Sequence, residues 1–402
     1  MQALNRLVAA EVVSNFGSML SRLAIPWLAA ITLQATPWQM GWLVAADVAA
    51  GALGSLWLGA WVDRHPPRAV MLAADAARAA LLAALAVAAA LQWLSMPLLV
   101  LAAAVGGLLS LAFELARSAW MARGLAADTL VSCNARLSMG GSLSETAAFA
   151  LGGWLFQGLG AVVALGVDAL SYLGSALFVR GLADAPAAPG APAGPTARRS
   201  LRAEAHQGLA AVSASPLLRR MAAIESLLSL AMGLTGATYM VYLVRDLGFG
   251  PGAIGSIAAT GALGAVIGGA LAVRLGRRWG PWRTMALGLA ATAAGAACIP
   301  LAASATLVGA AWLVAHQVVG DAGATLHQVH ERTLRQTGVA PDLLARVDGT
   351  LRMLGQGLQL VGALGGGALA GAIGPRAALV LAALLVAAAV PVALATARRS
   401  AR

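Results

Sequence analysis

The sequence contains no lysine, and all 27 of its basic residues are arginine. A Walker-type phosphate loop needs a Lys beside its glycines to reach the nucleotide phosphates, so the absence argues against ATP hydrolysis by this chain. Charge of either sign is scarce: 11% of the 402 residues are charged, and only 16 are acidic. That is too little polar surface to cover the two or three soluble domains that a chain of this length would form. Cysteine is nearly absent as well. Cys133 falls in a predicted loop and Cys298 within an apolar run; lying at different depths, they are not expected to form a structural disulfide.

What the chain has instead is apolar length. Sixty per cent of its residues are apolar, and runs long enough to cross a bilayer recur from end to end. Spans are predicted at 7–33, 38–62, 69–91, 97–121, 137–157, 161–181, 219–243, 251–274, 282–303, 305–328, 347–372 and 376–397. Each reaches the roughly 20 residues that carry a helix, rising about 1.5 Å per residue, across the hydrocarbon core. The expected fold class is therefore an all-α membrane protein of twelve transmembrane helices. The first apolar stretch, from Leu7, is too long for a signal-peptide core and is expected to stay as the first span.

The net charge of +11 would suggest nucleic acid in a soluble protein, but here the arginines alternate with the spans and no nucleic-acid partner is expected. Twenty-three lie on one set of alternate connections, against Arg245 and Arg376 on the other. Positive charge flanking a span stays in the cytoplasm, which places both termini there and requires an even number of spans. The expected location is the bacterial inner membrane, with lipid as the surrounding solvent.

One offset relates the two ends of the chain. A shift of 214 residues superposes Pro37 on Pro251, Gly41 on Gly255, Arg64 on Arg278, Pro67 on Pro281 and Met71 on Met285, and further on Gly141 on Gly355, Gly152-Gly153 on Gly366-Gly367 and Gly160 on Gly374. A gap-free register over that length marks a duplication. The expected organisation is a six-helix half at 1–181, a cytoplasmic linker at 182–218 opening with the Pro/Ala/Gly-rich ADAPAAPGAPAGPT, and a second half at 219–402. Six spans is an even number, so the halves share one orientation as a parallel repeat, with the substrate path expected between them.

The connection GAWVDRHPPRAVM resembles the cytoplasmic signature of the major facilitator superfamily at Gly59, Asp63, Arg64 and Arg68, with Pro66 and Pro67 replacing a Gly and a basic residue. The second half keeps RLGRRWGPWR, with Arg277 where the Asp would stand. The resemblance implies the major facilitator fold and an inner gate locked by Asp63 against an Arg and a helix N-terminus across the halves. FELARSAW with CNARL, LGVDALSYLGSALF and APDLLARVDGTLRML are similar to the drug:proton antiporters that include macrolide and siderophore exporters. Ala148-Phe149 stands where those proteins carry Gly-Pro, which keeps uptake or lipid-related transport open.

A charge inside a span costs about 2.5–3.5 kcal/mol on insertion scales, so it faces a cavity or a partner. Arg22 and Asp47 lie at matching depths in the first two spans, as an ion pair, a proton-linked pair or a purely structural pair. His316, Gln317 and Asp321 form a second polar group, for protons, a cationic substrate or helix–helix bonding. Glu11, Glu114, Glu145 and Glu225 fall nearer the cytoplasmic ends, within reach of interfacial water. His327, His330 and Glu331 match no common zinc-protease pattern, and no metal or cofactor is expected. With no nucleophile–base set on a loop, an enzyme is disfavoured; a sensor would need a soluble domain that the 182–218 connection is too short to supply. The function expected is proton-coupled efflux of an amphipathic small molecule by a monomer.

Overall fold

A computed structural model describes residues 2–62, 64–125, 127–184 and 201–399. All regular structure among them is helical: α1 (Gln2–Trp27), α2 (Pro37–Val62), α3 (Pro67–Ala90), α4 (Met96–Gly124), α5 (Ala127–Arg180), α6 (Leu201–Ala214), α7 (Pro216–Val241), α8 (Pro251–Ala259), α9 (Gly261–Trp279), α10 (Pro281–Cys298), α11 (Leu307–Gly338), α12 (Pro341–Ile373) and α13 (Pro375–Arg399). Proline opens seven of these helices, at the position where its missing N–H would have no intrahelical acceptor anyway. α5 is two spans joined at Gly160, whose φ of 82° only glycine adopts readily. With α8 and α9 forming one span around Thr260, and α6 a short helix of the connection between spans, the described residues build twelve rods.

Eight stretches among the described residues are long and apolar enough to cross a membrane, and the one from Arg136 to Arg180 holds two spans. α1, α2 and α11 are not among them. In α1 and α11 the apolar run is interrupted by Glu11, Asn15 and Arg22, and by His316, Gln317 and Asp321.

The 182–218 stretch is not uniformly irregular. Its second part forms α6, which packs on α12 so closely that a Cβ on Gly208 would meet the Arg346 carbonyl at 2.7 Å. Ser215 then caps α7, accepting from the Leu218 N–H, and the next helix begins at Pro216 rather than at 219. The residues from Ala185 to Ser200 lie outside the described ones.

By packing, the chain divides into two compact units. The first comprises 1–35, 46–193 and 249–259, and the second 36–45, 194–248 and 260–402. In the first, α5 packs on α1 and α3, and α3 on α4; Leu7, Met71, Ala116 and Val179 are fully buried in its core. In the second, α7 packs on α12 and α13, and α10 on α11 and α13, around Met285, Leu289 and Val347.

The repeat is visible in the backbone itself. Single π turns end both α1, at Leu28–Thr32, and α7, at Tyr242–Asp246, in the 214-residue register. Positive φ recurs in the same register at Gln34 (49°) and Gly248 (82°), and at Gly160 (82°) and Gly374 (86°). Two glycine crossings follow it as well. In the first unit a Cβ on Gly153 would lie 2.5 Å from the Pro251 carbonyl, and one on Gly255 2.5 Å from that of Phe149. In the second, Gly367 meets the Pro37 carbonyl and Gly41 that of Ala363, each again at 2.5 Å. Without side chains between them, α5 and α8, and α12 and the first turns of α2, touch backbone to backbone.

Candidate functional site

Asp63 lies outside the described residues. Of the other residues of its signature, Gly59 is half-buried with open space beside it and Arg64 is exposed. Arg68, in the first turn of α3, donates to Asp184 Oδ1 at 3.0 Å and to the Arg180 carbonyl at 2.7 Å. Arg6 donates to the neighbouring Gly181 carbonyl. Both guanidiniums thus collect at the C-terminus of α5, where unpaired carbonyls and the negative end of the helix dipole favour cations.

Arg22 and Asp47 are both exposed within the first unit, and no ion pair within 4.0 Å joins them, although the Arg22 charge reaches the Asp47 carboxylate. Asp47 lies instead on α4: a Cβ on Gly107 would sit 3.3 Å from Asp47 Oδ1 and 3.2 Å from its carbonyl oxygen. In the second unit the Asp321 carboxylate lies over Gly261, the first residue of α9, where a Cβ would come within 2.1 Å of Oδ2. Gln317, one turn earlier on α11, brings its Oε1 to 3.6 Å of the same point. His316 faces elsewhere. Its Nδ1 is 3.0 Å from the Gly295 carbonyl, and its ring stands 6.0 Å from that of Tyr239 on α7. Tyr239 also feels the Asp321 charge, so in the second unit Tyr239 of α7 stands between Asp321, with Gln317 beside it, and the separately directed His316. Sequence reading missed Tyr239, because nothing in an apolar run tells which helix face an aromatic occupies.

The larger omission is in the first unit. Asp75 and Arg78, on α3, are 0% and 6% exposed and form an ion pair. The Arg78 guanidinium lies between two rings, 4.7 Å from the centroid of Phe113 and 4.2 Å from that of Tyr172. Asp168, one turn before Tyr172, is 1% exposed and accepts from Ser171 Oγ at 3.2 Å. Nearby Glu11 pairs with Arg117. An Asp and an Arg three apart inside a span were a legible signal, since they share a helix face.

The remaining polar candidates are locally engaged or exposed. Glu225 accepts from Ser229 at 3.2 Å, and Glu114 and Glu145 are exposed. His330 Nε2 is 3.0 Å from the Ala272 carbonyl, and His327 is buried. Among the described residues no three His, Cys, Asp or Glu come together as a metal site.

Twelve helical rods, most of them long and apolar enough to cross a membrane, define an all-α multi-pass membrane protein. The chain belongs to the Major Facilitator Superfamily, whose model matches residues 7–325. No curated protein sequence matches it. Among solved structures it is similar to the nucleoside transporter NupG, with a TM-score of 0.77 at 14% identity over 98% of this chain and 99% of that one. It is also similar to a POT family peptide transporter (TM-score 0.74, 14% identity, 100% and 97% covered). A bacterial homologue of the human lysosomal transporter Spinster, inward-facing and unoccupied, aligns with a TM-score of 0.72 at 15% identity over 98% and 96%. At these identities the likeness is one of fold.

Proposed function

We propose that this chain is a proton-coupled secondary transporter that exports an amphipathic small molecule by alternating access. One observation carries the reading: Asp47 and Asp321 are held at repeat-related helix crossings, each against a glycine of the facing helix. A carboxylate at that depth is costly unless it exchanges a proton or meets a cation. The lack of lysine, and with it of a phosphate loop, argues against ATP as the source of energy and is consistent with an ion gradient. In this reading the arginine-rich connections face the cytoplasm of a bacterial cell, the protein works as a monomer, and Gly59, Asp63, Arg64 and Arg68 belong to its inner gate. The similarity of 113–137, 165–178 and 340–354 to drug:proton antiporters supports export over import.

The test uses inverted membrane vesicles with a preset proton gradient and a panel of drugs, dyes and siderophores. Collapse of the gradient on adding a substrate, lost in Asp47→Asn or Asp321→Asn, is the expected result. No response across the panel, with folded protein present in the vesicles, refutes export by antiport. It favours the second reading, uptake or lipid movement on the same scaffold, to which Ala148-Phe149 in place of Gly-Pro points.

A further inference from the structure

The buried and half-buried charges clustered in the first unit do not balance. Glu11, Asp75 and Asp168 supply three carboxyls, while Arg78 and Arg117 supply two guanidiniums. Glu11 is committed to Arg117 and Asp75 to Arg78, which leaves Asp168 as the carboxyl without an ion pair. Its surroundings are closed on every side. From α1, Gly17 makes room for it: a Cβ there would lie 2.6 Å from Asp168 Oδ1 and 2.1 Å from Ser171 Oγ. Ser21, also on α1 and 6% exposed, sets its hydroxyl beside the Asp168 carboxyl, yet its Oγ is left without a hydrogen-bond partner. From its own helix Ser171 divides one hydroxyl between the Asp168 carbonyl at 2.8 Å and its carboxyl at 3.2 Å. The charged groups on the helices packed against it are few. On α1 they are Arg6, bound to the Gly181 carbonyl, Glu11, taken by Arg117 of α4, and Arg22, whose charge reaches Asp47; on α3 they are Arg68, bound to Asp184 and the Arg180 carbonyl, and Asp75 and Arg78. Of these charges it is that of Arg78 that reaches Asp168, and the Tyr172 phenol stands near the same carboxyl.

The fold does not require these charges. In the 214-residue register Asp75 corresponds to Leu289, Arg78 to Thr292, Asp168 to Ala382 and Ser175 to Ala389. Leu289, Ala382 and Ala389 are buried, at 0%, 3% and 0% exposure, in a second unit built from the same helix order. A buried anion met by hydroxyls and by a guanidinium already committed to Asp75 is costlier than a neutral acid, which can also donate.

We propose that Asp168 is a proton-binding residue: it is held as the neutral carboxylic acid, donating to the orphan Ser21 hydroxyl, and it releases that proton to water when the helices around it part and Arg78 turns from Asp75 towards it. The proton leaves as hydronium, the carboxylate stays behind, and the guanidinium keeps its charge. The coupling role of this step rests on the proton-driven transport proposed above, whereas the binding of the proton does not, so the two fail separately.

The binding is read without any substrate, by infrared spectroscopy of the full chain in liposomes, titrated in light and heavy water. The expected result is a carbonyl-stretch component of a protonated carboxylic acid, shifted by deuteration, lost in Asp168→Asn and retained in Asp47→Asn and Asp321→Asn. Absence of any such component in the wild-type protein overturns the proposal. So does its persistence in Asp168→Asn, or its loss in Asp75→Asn alone, which would put the proton on Asp75. Should Asp168→Asn not fold, Asp168→Glu keeps the acid but lengthens its reach and must move the band, and an unmoved band overturns the assignment equally. If the band is assigned to Asp168 but the vesicle assay shows no proton flux, the proton site stands and the coupling role falls.

Discussion

Asp321 lies over Gly261, and at the crossing 214 residues earlier Asp47 lies against Gly107, so acid and glycine have exchanged helices between the two halves of the repeat. Asp47 corresponds to Gly261, and Gly107 to Asp321. A pair of small residues would pack either crossing as closely. Duplication has thus been followed by divergence in which each crossing keeps one carboxylate at one depth while the helix that supplies it differs. A purely structural contact would not be expected to survive in that exchanged form.

The two glycines differ in how tightly they are held. Alanine at Gly261 would place a methyl 2.1 Å from Asp321 Oδ2 and must displace that carboxylate, whereas alanine at Gly107 would meet Asp47 Oδ1 at 3.3 Å, which a slight side-chain shift relieves. Gly261→Ala is expected to lower transport tenfold or more, equivalent to about 1.4 kcal/mol, with normal amounts of protein in the membrane. Gly107→Ala, which also meets Ala50 Cβ at 3.1 Å and the Asp47 carbonyl oxygen at 3.2 Å and so asks the crossing to give by a few tenths of an ångström, is expected to lose less. Initial rates per quantified protein in vesicles decide; equal losses in both would remove the steric argument.

The paired crossings of Gly153 with Gly255 and Gly41 with Gly367 should respond alike, since each added methyl meets a backbone carbonyl at 2.5 Å. Overpacking of this kind costs about 1–3 kcal/mol. Gly255→Ala and Gly41→Ala are expected to lower the thermal unfolding midpoint in detergent by similar amounts and additively in the double variant, because they share no partner. The α5–α8 crossing carries in addition a Trp154 bond to Ser256 at 2.9 Å and a Gly252 N–H bond to Gln157 at 3.0 Å. Gln157→Leu should therefore cost about 0.5–1.5 kcal/mol more.

Much of this architecture was legible because lipid leaves few options. Twelve apolar runs, Pro37 and Pro251 opening corresponding helices and Gly160 and Gly374 ending others all follow from backbone rules that act locally. α6 was missed because its amphipathic run follows a Pro/Gly-rich stretch and its partner Thr350 is far along the chain. Arg22 and Asp47 are expected at one depth as an ion pair, a proton-linked pair or a structural pair; no ion pair within 4.0 Å joins them, and the Asp47 carboxylate lies against Gly107, because depth does not fix the direction a side chain takes around the helix. Asp168 stands in plain view in LGVDALSYLGSALF, but only packing shows that Gly17 and Ser21 enclose it.

Arg68 offers a graded test of the helix end it serves. Its partner Asp184 has a side chain 71% exposed, and exposed pairs contribute about 0.2–1 kcal/mol and less in salt. Asp184→Asn should barely move the unfolding midpoint, and high salt should remove what difference there is. Arg68→Ala loses the bond to the Arg180 carbonyl as well, so its effect should be larger and should persist in salt. A salt-insensitive loss in Asp184→Asn would contradict this division.

The buried cluster of the first unit gives opposite signs for removing one charge and removing all. Asp75→Leu strands Arg78 between Phe113 and Tyr172 without its carboxylate, and breaking a buried pair in this way costs about 3–5 kcal/mol. The combined Asp75→Leu, Arg78→Met, Asp168→Ala variant takes its Leu and Ala from the repeat-related Leu289 and Ala382. Met fills the slot between the two rings, where the shorter Thr of that register would leave a void. Replacing a buried ionic cluster with apolar groups of similar volume is neutral or stabilising by about 1–4 kcal/mol. The triple variant is therefore expected to unfold at or above the wild-type midpoint, while substrate no longer collapses a proton gradient in vesicles. A triple variant as unstable as Asp75→Leu would make the charges part of what holds α3 to α5. Stable protein with transport intact would make them dispensable. Only stability kept together with coupling lost marks a cluster retained for the movement of protons, at a place where the second half of the chain folds without it.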